Sequence, residues 1–479
     1  MPTFRKMHKL AQLDRDFIWH PFTQMREWTK AEPIVITAAK GTVLQDAHGK
    51  EYLDANSSIW TNLHGHNHPV LNRALQKQSS KIAHSSALGF ANEPAALLAE
   101  SLVNSTRLNT RPKDFKNPRL SKVFYSDDGS TALEVALKLS YQSSLRTRPK
   151  VSPRFLAIDG AYHGDTVGAV SLGHIDLFHK AYAGLLFKSD KVMAPYCYRC
   201  PFNKAKPERA DAREYRKCNW ECVSKVEQTF SKAKKSKRPY TAFSYEPLMQ
   251  GAAGMIPQPK GWLRRVAGLA RDHGAQLIAD EVMTGFGRCN ESPKLFASHQ
   301  EGVQPDFLCL AKGLSGGYLP MAATLTTKAV FDSFLGDYHE FKSFFHGHSY
   351  FGNQLGTAVS QASLELLTKK RSEQQRANLQ ANLKRELQRL WKLPHIGDIR
   401  QVGNVVGIEL VKDWKTRKSF DLREQAGIRV CNAMAKRGVL TRSIGNVIAI
   451  MPPYCTTQKQ VRKIAATLYD AVAGSLPPE

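Results

Sequence analysis

The chain has 479 residues, 42% of them apolar, and a formal charge of +26. It contains no run approaching the ~18 consecutive apolar residues of a membrane span, and eight cysteines in so long a chain do not make a disulfide scaffold. Its basic residues are dispersed; the densest run, KAKKSKR at 232–238, reads as a solvated turn rather than a nucleic-acid contact.

From Met1 to Trp19 charged and apolar residues are mixed, without the apolar core and small-residue cleavage site of a secretory signal. A cytoplasmic protein that binds neither nucleic acid nor membrane is therefore expected. Residues 1–75 read as an N-terminal arm contributing to a smaller domain, with short strands in PIVITAAKGTVLQDAHGKEYLDA. Residues 76–350 alternate helical patterns with apolar strand runs: KVFYS at 122–126, RFLAID at 154–159, TAFSYEP at 241–247, QLIADEV at 276–282 and DFLCLAK at 306–312. Strands without polar alternation, separated by helices, predict a mostly parallel sheet covered on both faces. An insert at about 195–240 interrupts this large domain. Residues 351–479 read as the smaller α/β domain, helix-rich to Trp391, then strands in VGNVVGIELV and VIAIMPP, then a helix from about 457.

Ligands of open parallel sheets sit beyond the carboxyl ends of the strands, and the unusual residues fall there. Asp280 closes the apolar run Leu277-Ile278-Ala279, where a carboxylate needs a partner. It either caps the next turn or faces a protonated ring nitrogen. Lys312 closes the next run and is followed by Gly313 and Gly316-Gly317. Desolvation there would lower its pKa and make it a nucleophile toward an aldehyde; the alternative is a lysine snorkelling from a strand end. Gly129-Ser130 opens a helix after KVFYS, with Leu133, Ala136, Leu137 and Tyr141 on one face. Its backbone N–H groups suit an anion, a use compatible with capping by Ser130 or Thr131. After RFLAID, Tyr162 and His163 stand among Gly160, Gly164 and Gly168. An aromatic ring in that place could stack on a flat heterocycle, or simply half-bury in a turn.

Together, GS at 129–130, YHGDT at 162–166, IADEVMTGFGR at 278–288 and LAKGLSGGYLP at 310–320 resemble the fold-type I, class III aminotransferases over about residues 15–475. The resemblance implies an α/β fold and pyridoxal 5′-phosphate as cofactor. Lys312 would carry it and shuttle protons, Asp280 would pair with its ring nitrogen, and Tyr162 would stack on the ring. Gly129 and Ser130 would hold the phosphate. HGHSYFGN at 346–353 matches the segment that crosses the family's homodimer interface, so Gly347, His348 and Ser349 would serve the partner's site, Ser349 at the phosphate.

Within the family, WHPFTQM at 19–25, SSIWTNLHGHNHP at 57–69 and LTRSIGNVIAIMPP at 440–453 are similar to the branch that aminates 8-amino-7-oxononanoate in biotin biosynthesis. Phe22, Ile59, Trp60, Tyr162, Gly347 and Arg442 would then line the substrate, with Arg442 on its carboxylate. Phe22 stands where some members have tyrosine and Ile59 where some have tryptophan, leaving S-adenosylmethionine and lysine both open as donor. The alternative reading is another class III enzyme acting on an ω-amino acid.

Cys197, Cys200, Cys218 and Cys222 form C-x2-C-x17-C-x3-C in the insert. Two close pairs of soft ligands fit a structural zinc ion, and equally four free thiols in a loop.

Overall fold

The computed structural model describes residues 7–108, 117–290 and 293–477. Its centre is a seven-stranded sheet in the order Leu120–Ser126, Ala322–Thr327, Phe307–Leu310, Gln276–Asp280, Ala242–Tyr245, Phe155–Ile158, Asp190–Val192. From Phe307–Leu310 to Asp190–Val192 each neighbour is parallel, whereas Ala322–Thr327 runs antiparallel to both its neighbours. The five apolar runs read from the sequence all lie in this sheet, and the expected mostly parallel α/β layer is borne out. Their side chains explain why: every residue of Phe155–Ile158, Ala242–Tyr245 and Phe307–Leu310 is buried, so no polar alternation is needed.

Three smaller sheets flank it. Ile36–Lys40, Val43–Asp46 and Glu51–Asp54 form an antiparallel meander that Val439–Leu440 joins in parallel, so distant parts of the chain share one sheet. Ile396–Val402, Val405–Asp413, Val447–Ile450 and Arg442–Ile444 form the second, with Lys418–Ser419 at its side. Met249–Gln250 and Ile256–Pro257 form a short hairpin. Among the described residues no helix is long and apolar enough to cross a membrane.

The helix Gly129–Thr147 packs Leu133, Ala136 and Leu137 into the core, but Tyr141, further along the same face, is 46% exposed. Its cap also differs from expectation. Asp128 is the N-cap, accepting from Thr131 N–H at 2.9 Å in a capping box. Ser130 is thereby free to bond elsewhere, and its Oγ accepts from Thr166 N–H at 2.9 Å.

Candidate active site

Five loops leave the carboxyl ends of the parallel strands and meet around a cavity of about 530 Å³. Its walls include Lys312, Asp280, Tyr162, Gly129, Ser130 and Trp60, the residues that the sequence marked from four separate motifs and from SSIW. A larger groove of about 690 Å³, lined by Lys260, Arg264, Lys294 and Glu301, contains none of them.

Lys312 begins a single 3₁₀ turn at φ +43°, a left-handed conformation that a lysine adopts only when its surroundings impose it. Burial lowers its pKa, against the upward pull of the Asp280 and Glu246 charges, so more of the amine is free at neutral pH than in solution. Its Nζ lies 5.4 Å from the centroid of the Trp60 ring.

Asp280 is buried and does not stand alone. Its Oδ2 is 2.8 Å from His163 Nδ1, and His163 Nε2 is 3.0 Å from Ser244 Oγ. Asp280 Oδ1 accepts from Val282 N–H at 3.0 Å. Burial presses on the His163 imidazole, but the Asp280 hydrogen bond and charge outweigh it and hold its pKa above the ordinary histidine value. The shift favours a protonated ring beside Asp280, and the contact fixes the direction of the Asp280 Oδ2 atom.

Glu246 is a second buried carboxyl in the same wall and was missed in the sequence. It follows the strand Ala242–Tyr245 as Asp280 closes its own, so the same strand-end logic would have found it. It accepts from Tyr162 N–H at 3.3 Å and Gly251 N–H at 2.8 Å. Burial, with Asp280 adding to it against His163, raises its pKa from 4.5 to about 7. A carboxyl raised in the folded state favours folding while protonated and loses that contribution as pH climbs through the folded value. Glu246→Gln is therefore expected to flatten the loss of thermal stability between about pH 4.5 and 7. Glu281, also raised to about 7, keeps its own share of the slope in the variant. Unfolding midpoints across that window test this, and an unchanged slope contradicts it.

Tyr162 is held by its hydroxyl, which donates to Asp165 Oδ2 at 2.7 Å; burial first and then that carboxylate raise the phenol's pKa. Its ring meets Phe178 edge-on with centroids 6.2 Å apart, and Phe178 in turn meets Phe22 at 5.3 Å. Arg442 is exposed on the strand Arg442–Ile444, near enough for its charge to act on the Tyr162 phenol. Phe22 and Ile59 are 60% and 44% exposed. Gly347 and Ser349 are exposed and His348 half-buried, all outside the cavity wall. His348 Nδ1 is 3.1 Å from Asp127, and the Ser349 carbonyl accepts from His84.

Close approach defines the rim. A Cβ on Gly129 would lie 2.6 Å from Val282, and one on Gly164 would lie 2.4 Å from Ser130. Both positions are thus closed to any side chain, which brings the helix N-terminus and the Tyr162 loop together at the cavity.

The zinc expectation is not supported. Cys197, Cys200, Cys218 and Cys222 line one small cavity, yet among the described residues no three His, Cys, Asp or Glu side chains are set to hold a metal. Arg216 Nη1 donates to Cys218 Sγ at 2.9 Å, placing a cation against one would-be ligand. Burial raises the Cys197 and Cys222 thiols to about 12 and about 11.

A family model for aminotransferase class-III matches residues 24–472. The chain is 43% identical over 452 residues to the adenosylmethionine-8-amino-7-oxononanoate aminotransferase of Geobacter sulfurreducens, covering 94% of each. The crystal structure of the corresponding Methanocaldococcus jannaschii aminotransferase superposes with a TM-score of 0.87 at 38% identity, over 97% of this chain and 99% of that one. An amine transaminase from an uncultivated Pseudomonas species, solved in a PLP-bound form, matches at TM-score 0.85 and 29% identity, over 96% of this chain and 99% of its own.

Proposed function

The chain belongs to the class-III aminotransferases and is a transaminase, and from that premise we propose that it aminates 8-amino-7-oxononanoate to 7,8-diaminononanoate in biotin biosynthesis. The observation that carries this reading is the 43% identity, along nearly the whole of both chains, to a relative named for that substrate. S-adenosylmethionine is named in that relative and lysine is the alternative donor, since Phe22 and Ile59 stand where some members have tyrosine and tryptophan.

Pyridoxal 5′-phosphate is the cofactor the family implies, and the residues fit it: a lysine of lowered basicity, a buried Asp280 carboxyl hydrogen-bonded to His163, and a glycine-lined helix N-terminus around one cavity. When bound it supplies an aldehyde that takes up an amino group from one substrate and a ring that accepts electrons, then yields that group to the next. Lys312 would hold it, Asp280 would face its ring nitrogen, Tyr162 its ring, and Gly129 and Ser130 its phosphate. Lys312 Nζ, its basicity lowered by desolvation, can then take a proton from substrate carbon and return it. Asp280 keeps its charge directed by its contact with His163 Nδ1. Tyr162 is kept from turning by Asp165 and by the Glu246 hold on its backbone.

We place the division into a 1–75 arm, a 76–350 cofactor-binding domain and a 351–479 smaller domain alongside this reading, with a cytoplasmic homodimer. In that dimer Gly347, His348 and Ser349 would complete the neighbouring site. Their exposure, away from the cavity of their own chain, supports the assignment.

Arg442 is proposed to grip the keto acid's terminal carboxylate through two parallel N–H donors, which an ammonium cannot reproduce. Losing one charge-assisted hydrogen bond costs about 1.5–3 kcal/mol, so Arg442→Lys is expected to raise KM for the keto acid about ten- to a hundredfold. The donor half-reaction should change much less. The test is product formation from 8-amino-7-oxononanoate with each donor, wild type beside variant. No diaminononanoate from either donor overturns the substrate; an unchanged KM in the variant overturns the role of Arg442.

A further inference from the structure

The segment that carries Trp60 is strained. Ser57, Ser58 and Trp60 take φ of +49°, +60° and +69°, and none of them is glycine. Left-handed backbone at three of four consecutive residues persists only where the surroundings over-determine it. Here the restraints converge on two buried side chains. Asp54 accepts from Asn56 N–H at 3.0 Å and Ser58 N–H at 2.8 Å, and is itself held by His66 Nε2 at 2.8 Å. Asn56, 4% exposed, uses both ends of its amide. Its Nδ2 donates to the Ser58 carbonyl at 3.0 Å, and its Oδ1 accepts from Trp60 Nε1 at 3.0 Å.

The indole so held forms part of the wall of the Lys312 cavity, and its ring faces Lys312 Nζ. A buried indole N–H needs an acceptor, and pinning it fixes the ring about both side-chain torsions. We propose that Asn56 is a positioning residue for the acceptor substrate, setting the face of Trp60 against Lys312 and thereby the apolar wall of the cavity. This deepens the function proposed above and rests on it for the location of the chemistry. Asn56 touches neither Lys312 nor the cavity; it acts through Trp60. Nothing in the residue type marks it, because an asparagine after Asp54-Ala55 reads from sequence as an ordinary turn residue.

The experiment compares wild type with Asn56→Ala, Trp60→Phe and the double variant, because Trp60→Phe keeps an aromatic ring, smaller than the indole, and removes the bonded N–H. Each single substitution is expected to raise KM for the keto acid about fivefold with little change in kcat. The double variant should be no worse than the worse single, since the two act through one bond. In cofactor-free protein, a ring no longer held over the ammonium should let trinitrobenzenesulfonate label Lys312 several-fold faster at neutral pH, read by peptide mass spectrometry. Additive KM effects, or labelling at the wild-type rate in both single variants, overturn the proposal. If Asn56→Ala does not fold, Trp60→Phe alone must show both changes. Should wild type fail to aminate the keto acid, the substrate reading falls, while the labelling comparison still decides the role of Asn56.

Discussion

Lys312→Ala should abolish turnover, by about four orders of magnitude or more, while the protein keeps its fold. General acid–base catalysis alone contributes about 10²- to 10⁴-fold, and Lys312 would be nucleophile as well as base. The fold should survive because the substitution removes a charge that burial disfavours. The φ of +43° stays unfavourable for alanine, so a modest drop in stability is expected beside the catalytic loss. Steady-state rates with a thermal melt separate the two effects. A variant that retains one-tenth of wild-type activity would remove Lys312 from the chemistry.

Asp280→Asn is the second large effect. The amide keeps the shape but not the charge, and a charge-assisted hydrogen bond is worth about 1.5–3 kcal/mol. The expected fall in kcat is at least about ten- to a hundredfold. His163 adds a signature. With Asp280 neutral, the interaction that raises the imidazole pKa is lost and burial is left to lower it. The folded protein should then lose the His163 proton at lower pH than wild type, which is observable by NMR of the ring. Near-normal kcat in this variant contradicts the role, and an unmoved His163 titration contradicts the coupling.

What could be read from the sequence follows from where physics leaves local marks. Asp280 and Lys312 stood out because a charge at the end of an unbroken apolar strand is costly without a purpose. Glu246 carries the same mark at the end of Ala242–Tyr245, and a short hairpin follows it. His163 belongs to YHGDT, but its contact with Asp280 spans 117 residues and no local pattern announces it. The strand Ala322–Thr327 escaped notice because Ala-Ala-Thr-Leu-Thr-Thr has no decisive period, and its place comes from antiparallel pairing on both sides. Tyr141 shares one helix face with Leu133, Ala136 and Leu137 by spacing, yet the helix surface there meets solvent. The four insert cysteines have metal-like spacing and do gather around one cavity, but spacing cannot report the guanidinium that packs on Cys218.

The central claim is that amino-group transfer runs through Lys312, and the most direct measurement is borohydride reduction of the holoenzyme followed by peptide mapping. The mass of one reduced pyridoxal phosphate adduct should appear on the peptide containing Lys312 and on no other lysine, and prior incubation with the amino donor should abolish it. A stable adduct on a different lysine, or labelling indifferent to the donor, would contradict the account.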